Sequence, residues 1–356
     1  MIQSKQSPSA AGITPRISVA MATYNGESFI REQLDSIARQ TLLPIEIVIT
    51  DDGSTDNTLQ IVNDFSRTAP FSVRAYRNKF RLGYADNFLK AASLCNGDVI
   101  AFSDQDDIWI DNKLDICSQL FSDPSIVLVL HSARTFNQQS GMERTYPNIS
   151  HTRILEWGKS DPFENQPGFA MLFRKKLLQL VDNSTRPWRA STHDQWTWFL
   201  ASTTGRIALV ADKLALYRQH ETNLLGVPQH SGAKWNPARS ATAEDYSSMA
   251  ESELEGSNIL RAAAGHWPAL AKHLARSAEK LHYRSRIHRL RSRIYARPAN
   301  ILQRTRAFGQ IALLGGYLPD RSKAHLGIRS AIKDLVLGVP GRNLLQPNEA
   351  KSTVLR

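Results

Sequence analysis

The chain has 356 residues, 42% hydrophobic and 22% charged, enough for a sizeable buried core and unlike a low-complexity tract. Its opening residues MIQSKQSPSAAG lack the apolar run of a secretory signal, and no stretch reaches the roughly 18 apolar residues of a membrane span, so the reading is cytoplasmic. The net charge of +11 is confined to the last third: residues 1–230 hold 23 Lys+Arg and 24 Asp+Glu, residues 231–356 hold 21 and 9, which excludes backbone-phosphate binding by the first region.

The first third alternates strand and helix signals. Residues 17–24 (ISVAMATY) form a short apolar run closed by the turn Asn25-Gly26. Residues 27–40 then place Ile30, Leu34, Ile37 and Ala38 at helical spacing. EIVIT (46–50) is the next strand, and DDGSTDNT leads into a second helix with Asp56, Asn57 and Thr58 as natural caps. A strand at 72–77, a helix around 85–94 and the strand DVIAFS (98–103) repeat the unit. This is the pattern of a doubly wound, mostly parallel sheet, which binds ligands beyond the carboxyl ends of its strands. Residues 125–220 mix signals: a buried strand SIVLVLH, a loop NQPGFA and a helix beginning near His193. Residues 221–240 are rich in Pro, Gly, Ser and Asn, and an Arg-rich helical stretch with a thin apolar stripe follows from 257 to 301. Cys95 and Cys117 lie on apolar helix faces without a CxxC pattern, which predicts buried, reduced thiols.

Three acidic clusters fall at or near element ends. Asp51-Asp52-Gly53-Ser54 follows a strand. Such acids cap the next helix, yet two adjacent carboxylates exceed what a cap needs, and one can accept a hydrogen bond from a pyrimidine N–H. Both readings stand. Ser103-Asp104-Gln105-Asp106-Asp107 follows DVIAFS. Three carboxylates in four positions repel one another unless a cation is present, and Asp104 with Asp106 can share one Mg²⁺ or Mn²⁺ with positions left for diphosphate oxygens. The alternative is a plain acidic turn, which the preceding strand and the following Ile108-Trp109 weaken. His193-Asp194-Gln195-Trp196 opens an aromatic helix, with Asp194 either its N-cap or a general base. In Tyr217-Arg218-Gln219-His220 the His is structural or solvated, or Arg218 and His220 close over a diphosphate.

Together ISVAMATYNG, EQLDSIARQTLLPIEIVITDDGSTDNT, GYADNF, DVIAFSDQDDIW and HDQW…YRQH…N…G resemble inverting family 2 glycosyltransferases of the GT-A (nucleotide-diphospho-sugar transferase) fold, in particular bacterial rhamnosyltransferase-like enzymes. The likeness covers residues 15–226. It implies that Ala22, Thr23 and Tyr24 line a base pocket, that Asp51, or second Asp52, contacts the base, and that Arg81 and Asn87 help hold the nucleotide. It further implies that Asp104 and Asp106 bind the metal, that Gly168 and Phe169 form the loop beneath the donor sugar, that Asp194 is the catalytic base, and that His220 contacts diphosphate or metal. The implied partners are a nucleotide-sugar donor, carrying rhamnose or a hexose, and a glycan or lipid-linked acceptor of bacterial surface polysaccharide synthesis. His193-Asp194 stands where many relatives have Glu-Asp, and no Gln-x-x-Arg-Trp motif follows, so one sugar per encounter is expected rather than processive synthesis. The expected organisation is a disordered N-terminus (1–14), a glycosyltransferase domain (15–226), a linker (227–256) and a basic helical region (257–356).

The basic region is either a solvated face or a peripheral contact with an anionic membrane surface. A nucleic-acid-binding protein acting through this tail is the main rival, disfavoured for the near-neutral first region. A nucleotidyltransferase would need a Gly-rich phosphate loop after the first strand, which Tyr24-Asn25-Gly26-Glu27 is not. A catalytically dead scaffold would not need acids at all three sites.

Overall fold

Strand β1 (Ile17–Thr23) is buried on both faces, as its uninterrupted apolar run requires, and lies inside the sheet. The computed structural model describes residues 14–136, 143–184, 186–219, 241–297, 299–317 and 327–339. Within them β1 pairs in parallel with β2 (Glu46–Asp51) on one side and β4 (Val99–Ser103) on the other, and β2 pairs with the edge strand β3 (Ser72–Arg77). The crossovers are α1 (Ile30–Ala38), α2 (Thr58–Ser66) and α3 (Tyr84–Leu94). After β4 come a short strand β5 (Ile108–Trp109), α4 (Lys113–Leu120), β6 (Ile126–Phe136), the short β7 (Arg144–Thr145) and β8 (Arg153–Leu155), β9 (Met171–Arg174), α5 (His193–Thr204) and β10 (Arg206–Arg218). The main path runs β3-β2-β1-β4-β9-β6-β10-β5, with β9 antiparallel to both neighbours and β6 parallel to β10. The sheet is therefore mixed and mostly parallel, as expected.

Register aligns the chemistry. Thr23 lies opposite Asp51, Asp51 opposite Arg77, and Met21 opposite Ser103, so the carboxyl ends of these strands share one edge. Two local expectations shift. The first helix starts at Ile30, because the amides of Phe29 and Ile30 both bond to the Gly26 carbonyl in a tight turn. Strand β6 runs to Phe136, five residues beyond the apolar signal, because Ser132 and Thr135 lie buried with their hydroxyls accepting from the Ile149 and Arg144 amides. Cys95 and Cys117 are both buried, unpaired thiols.

Two compact units emerge, residues 1–186 with 190–229 and residues 187–189 with 230–356. The second contains α6 (Ala243–His266), α7 (Ala271–Tyr295), α8 (Ile301–Leu313) and α9 (Gly327–Lys333) with a following π-turn (Asp334–Gly338). The stretch expected as linker is thus helical from Ala243, where Thr242 and Asp245 form a reciprocal capping box. Its buried face combines Tyr246 and Leu260 with Ala250, Ser252, Glu253, Gly256, Ser257 and Ala263, and the predominance of small and polar residues reads as a loop in sequence. Helices α6 and α7 form an antiparallel hairpin, with Ser257 bonded to the Ala278 carbonyl and Ser285 to the Ala250 carbonyl. Among the described residues no helix is long and apolar enough to cross a membrane. The expected disordered segment 1–14 lies, but for residue 14, outside the described residues.

Candidate functional site

The acidic turn after β4 is held by long-range bonds. Gln105 accepts from the Tyr24 amide and donates to the Tyr24 carbonyl, both at 3.1 Å, pinning the middle of Asp-Gln-Asp to the end of β1. Behind it, Arg218 ends β10 almost fully buried, its amide donating to Asp107 Oδ1 at 3.2 Å and its Nε to the Asp106 carbonyl at 2.9 Å. The guanidinium pairs with Glu32 and lies between the rings of Phe29 and Phe136, 4.8 Å from each. Arg218 therefore builds the turn rather than closing over a diphosphate, which corrects the sequence reading. Asp104 and Asp106 remain partly exposed, whereas Asp107 is buried with Oδ2 lacking a hydrogen-bond partner. Burial, then the charges of Asp106 and Asp194, push the Asp104 carboxyl up to about 8. Asp107 is pushed well up by burial and by Asp106 and Asp104.

Beneath this turn is a residue that the sequence reading missed. Lys113, the first residue of α4, is completely buried; its Nζ donates to the Phe169 carbonyl at 2.8 Å and sits 3.7 Å from the Trp109 ring centroid. Burial pulls its ammonium down to about 7, against the opposing charges of Asp107 and Asp104. The available signal was Lys113 four positions before Cys117 on the apolar face of a helix, where a lysine needs a partner.

At the end of β2, both acids are tied into the loops that follow. Asp51 accepts from the amides of Gly53 and Ser54 on Oδ1 and from the hydroxyls of Thr23 and Ser54 on Oδ2. Asp52 accepts from Asn78 Nδ2, Leu82 N and Gly83 N. Asp51 thus has both oxygens doubly occupied, while Asp52 Oδ2 carries one bond. Gly53 stands at φ 88°, the left-handed region this tight turn requires. Asn87, expected at the nucleotide, is buried and bridges strand ends instead, donating to the Thr50 carbonyl at 2.9 Å and accepting from Asn78. Both N–H groups of its amide are directed at backbone carbonyls, of Thr50 and Thr23. Ala22 and Thr23 end β1 as expected, Thr23 buried, and the exposed Tyr24 carries the Arg81 guanidinium over its ring at 3.9 Å.

The third cluster resolves the capping question. Thr192, not Asp194, is the N-cap of α5, its hydroxyl accepting from the Gln195 amide. Asp194 lies two positions further in and is buried. Its Oδ1 takes the Thr192 hydroxyl and the Gln195 amide (2.8 Å); among the described residues Oδ2 takes no hydrogen bond. Its charge reaches Asp104 and raises the phenols of Tyr84 and Tyr146 after burial has done so. His193 is buried without a hydrogen bond to either ring nitrogen, stacked on Phe88 at 4.0 Å and edge-on to Phe102 at 4.9 Å. Burial holds it below its ordinary pKa and hence neutral. Gly168 and Phe169 form the turn against this helix, and a Cβ at Gly168 would fall 2.6 Å from His193 Nε2 and 3.3 Å from Asp194 Cβ. Only glycine fits there. His220, with Asn223 and Gly226, lies outside the described residues.

Among the described residues no group of three His, Cys, Asp or Glu side chains could hold an ion by itself. Asp104 and Asp106 are oxygen donors two positions apart, the donor type of a hard cation completed by ligand oxygens, and the Asp104 carboxyl, raised by burial and then by Asp106 and Asp194, is one that a nearby positive charge would relieve.

Residues 18–181 match the family model "Glycosyl transferase family 2". The chain is 33% identical over 231 residues to the dTDP-rhamnosyl transferase RfbG of Shigella flexneri, covering 60% of this chain and 76% of that protein. It is 32% identical over 142 residues to the UDP-Glc:alpha-D-GlcNAc-diphosphoundecaprenol beta-1,3-glucosyltransferase WfgD of Escherichia coli, covering 39% and 55%. The chain spans from 51% to 76% of the length of such curated relatives. In fold it is similar to S. aureus TarS 1–349 in complex with UDP-GlcNAc, at TM-score 0.52 and 19% identity over 84% of this chain and 86% of that one.

Proposed function

Because the chain belongs to glycosyltransferase family 2 and is a glycosyltransferase of the GT-A fold, we propose that it performs a metal-dependent, inverting transfer of rhamnose or a hexose from a nucleoside-diphosphate sugar to an acceptor hydroxyl. The observation that carries this reading is Asp194, buried at the site edge with one oxygen anchored and the other unoccupied, within electrostatic reach of Asp104. Its free oxygen takes the proton of the acceptor hydroxyl as that oxygen attacks the anomeric carbon. The anomeric C–O bond to the diphosphate breaks in the same displacement, so the configuration inverts and no enzyme nucleophile is needed.

Asp104 and Asp106 would hold Mg²⁺ or Mn²⁺, which when bound supplies positive charge to the departing diphosphate. Thr192 and Gln195 fix the base, and the Gly168–Ala170 turn, tied to Lys113, forms the floor on the sugar side. Tyr24 and Arg81 offer an exposed ring and cation beside the β1 end for the nucleotide, with Asp52 as the acid that retains capacity. The dTDP-rhamnosyl relative supports rhamnose as the sugar, and the diphosphoundecaprenol named for the E. coli relative supports a lipid-linked acceptor in surface polysaccharide synthesis. We place this reaction on the cytoplasmic side of the membrane that carries the acceptor.

The test is a nucleotide-sugar screen for transfer and metal-dependent donor binding with Asp194→Asn and Asp106→Ala. Asp194→Asn lowers transfer by roughly a hundredfold to ten-thousandfold while donor binding persists. Asp106→Ala abolishes the metal-dependent part of donor binding. Normal turnover by Asp194→Asn sinks the base assignment.

A further inference from the structure

The second unit is most unusual where its helices face outward. Helix α8 is anchored on its inner side by Ala307 and Ile311, buried in a cluster with Ile287, Ile294 and Tyr317. Arg304 adds three bonds, to the carbonyls of Ala296, Ala299 and Gly338, and an Asn300–Gln303 capping box closes the helix start. The packing of α8 is therefore complete without its outer face. That face nevertheless carries Ile301 (63% exposed), Leu302 (74%) and Leu313 (89%). At 100° per residue, Thr305, Gly309 and Ala312 fall between them, and Arg306 stands at the margin. A helix normally turns its polar side outward; here the outward side is aliphatic and small.

The last described helix, α9 with its π-turn, repeats the arrangement. Its Asp334 is fully buried, accepting from Arg291 Nη2 at 2.8 Å, Tyr295 OH at 2.9 Å and Tyr317 OH at 2.8 Å. With that one polar residue inside, Ile332, Leu335 and Val336 are left more than half exposed. Around α8 the charge is of one sign: residues 280–319 contain nine Lys and Arg and no Asp or Glu.

We infer that α8 is an interfacial helix that lies in the surface of an anionic phospholipid bilayer, with Leu302 and Leu313 inserted below the headgroups and the surrounding arginines on the phosphates. Exposed aliphatic side chains gain by leaving water, and each cation near an anionic surface adds to the attraction. A second copy of the chain fits poorly, since two such surfaces would bring like charges together. Nucleic acid fits poorly too, because α8 presents aliphatics where stacking rings and a cation row would be needed. From sequence the arginine-rich stretch as a whole reads as either a solvated face or a membrane contact; within it, Arg284 and Arg291 of α7 face inward on Glu253 and Asp334, and the apolar face belongs to α8. The inference deepens the lipid-linked acceptor reading and rests on it for its biological sense, since a chain held at the membrane surface meets such acceptors at high local concentration.

The experiment is flotation of the full chain with vesicles of phosphatidylcholine alone or with about a third phosphatidylglycerol. We expect binding to the anionic vesicles, weakened by salt, and a loss of roughly tenfold or more in Leu302→Glu/Leu313→Glu with donor binding intact. A second variant guards against misfolding: Cys95 and Cys117 are buried, so Leu302→Cys takes an environment-sensitive dye selectively, and its emission shifts to the blue on adding anionic vesicles. Unchanged flotation of the double variant, or no emission shift, overturns the inference. So does a finding that the double substitution abolishes only dimers or RNA retention. Vesicle binding with no sugar transfer would defeat the transferase reading alone; transfer with no vesicle binding would defeat this one alone.

Discussion

Asp104 shows how a site residue is set by its neighbours. Burial first, then the negative charges of Asp106 and Asp194, raise its carboxyl to about 8. Without an ion, the folded chain keeps this proton where the unfolded chain would have lost it, so the contribution of Asp104 to stability falls as pH rises from the ordinary carboxyl range through about 8. Binding of a divalent ion requires the carboxylate, so metal affinity should climb with pH up to about 8 and flatten above it. Calorimetric titration with Mn²⁺ across pH checks this. In Asp194→Asn the same curve should move to lower pH, because one negative neighbour is gone. A metal affinity independent of pH would show that Asp104 is not a ligand.

At the scale of elements, the parallel β3-β2-β1 part of the sheet is tied together by buried polar groups at the end opposite the acidic clusters. Glu46 on β2 is almost fully buried, and it accepts from Ser18 of β1 at 2.8 Å, from Arg74 of β3 at 2.7 Å and from the Asn96 amide. Burial raises its pKa, but Arg74, Asn96 and Ser18 together outweigh burial and hold it below the ordinary 4.5. The depressed acid contributes stability that is present above that ordinary value and is lost as pH falls through the folded one. Glu46→Gln should therefore cost about 1.5–3 kcal/mol at neutral pH. It should also flatten the acid limb of a denaturant-stability series, where wild-type stability drops. Equal slopes in the two proteins would show that other carboxylates carry that limb.

At the scale of the molecule, the two compact units divide charge as well as contacts: the acids of the candidate site lie in the first, and the excess of positive charge in the second. A nucleotide-sugar with Mn²⁺ should stabilise the unit that binds it by about 2.7 kcal/mol at a hundredfold excess over Kd, which for a unit of this size is a rise of roughly 5–10 °C. Differential scanning fluorimetry should show that rise in wild type and lose its metal-dependent part in Asp106→Ala. A rise of equal size in both would place the metal elsewhere.

Local pattern alone determined the strand–helix alternation of residues 17–103 and the placing of three acidic clusters at element ends. Buried parallel strands read as unbroken apolar runs, and carboxylates at their mouths break the rules of burial conspicuously. The same pattern misread residues 243–256 as linker, because a helix that packs closely can bury Ala, Ser and Gly in place of large aliphatics. What only the tertiary structure decided is which side chains are already spent: Asp51 on its own loop, Asn87 between strand ends, Thr192 as the cap that frees Asp194, Lys113 beneath the acidic turn. The physical reason is that a hydrogen bond is settled by whichever partner folding brings within about 3 Å. For Arg218 and Asp107 that partner lies 111 residues away in the chain.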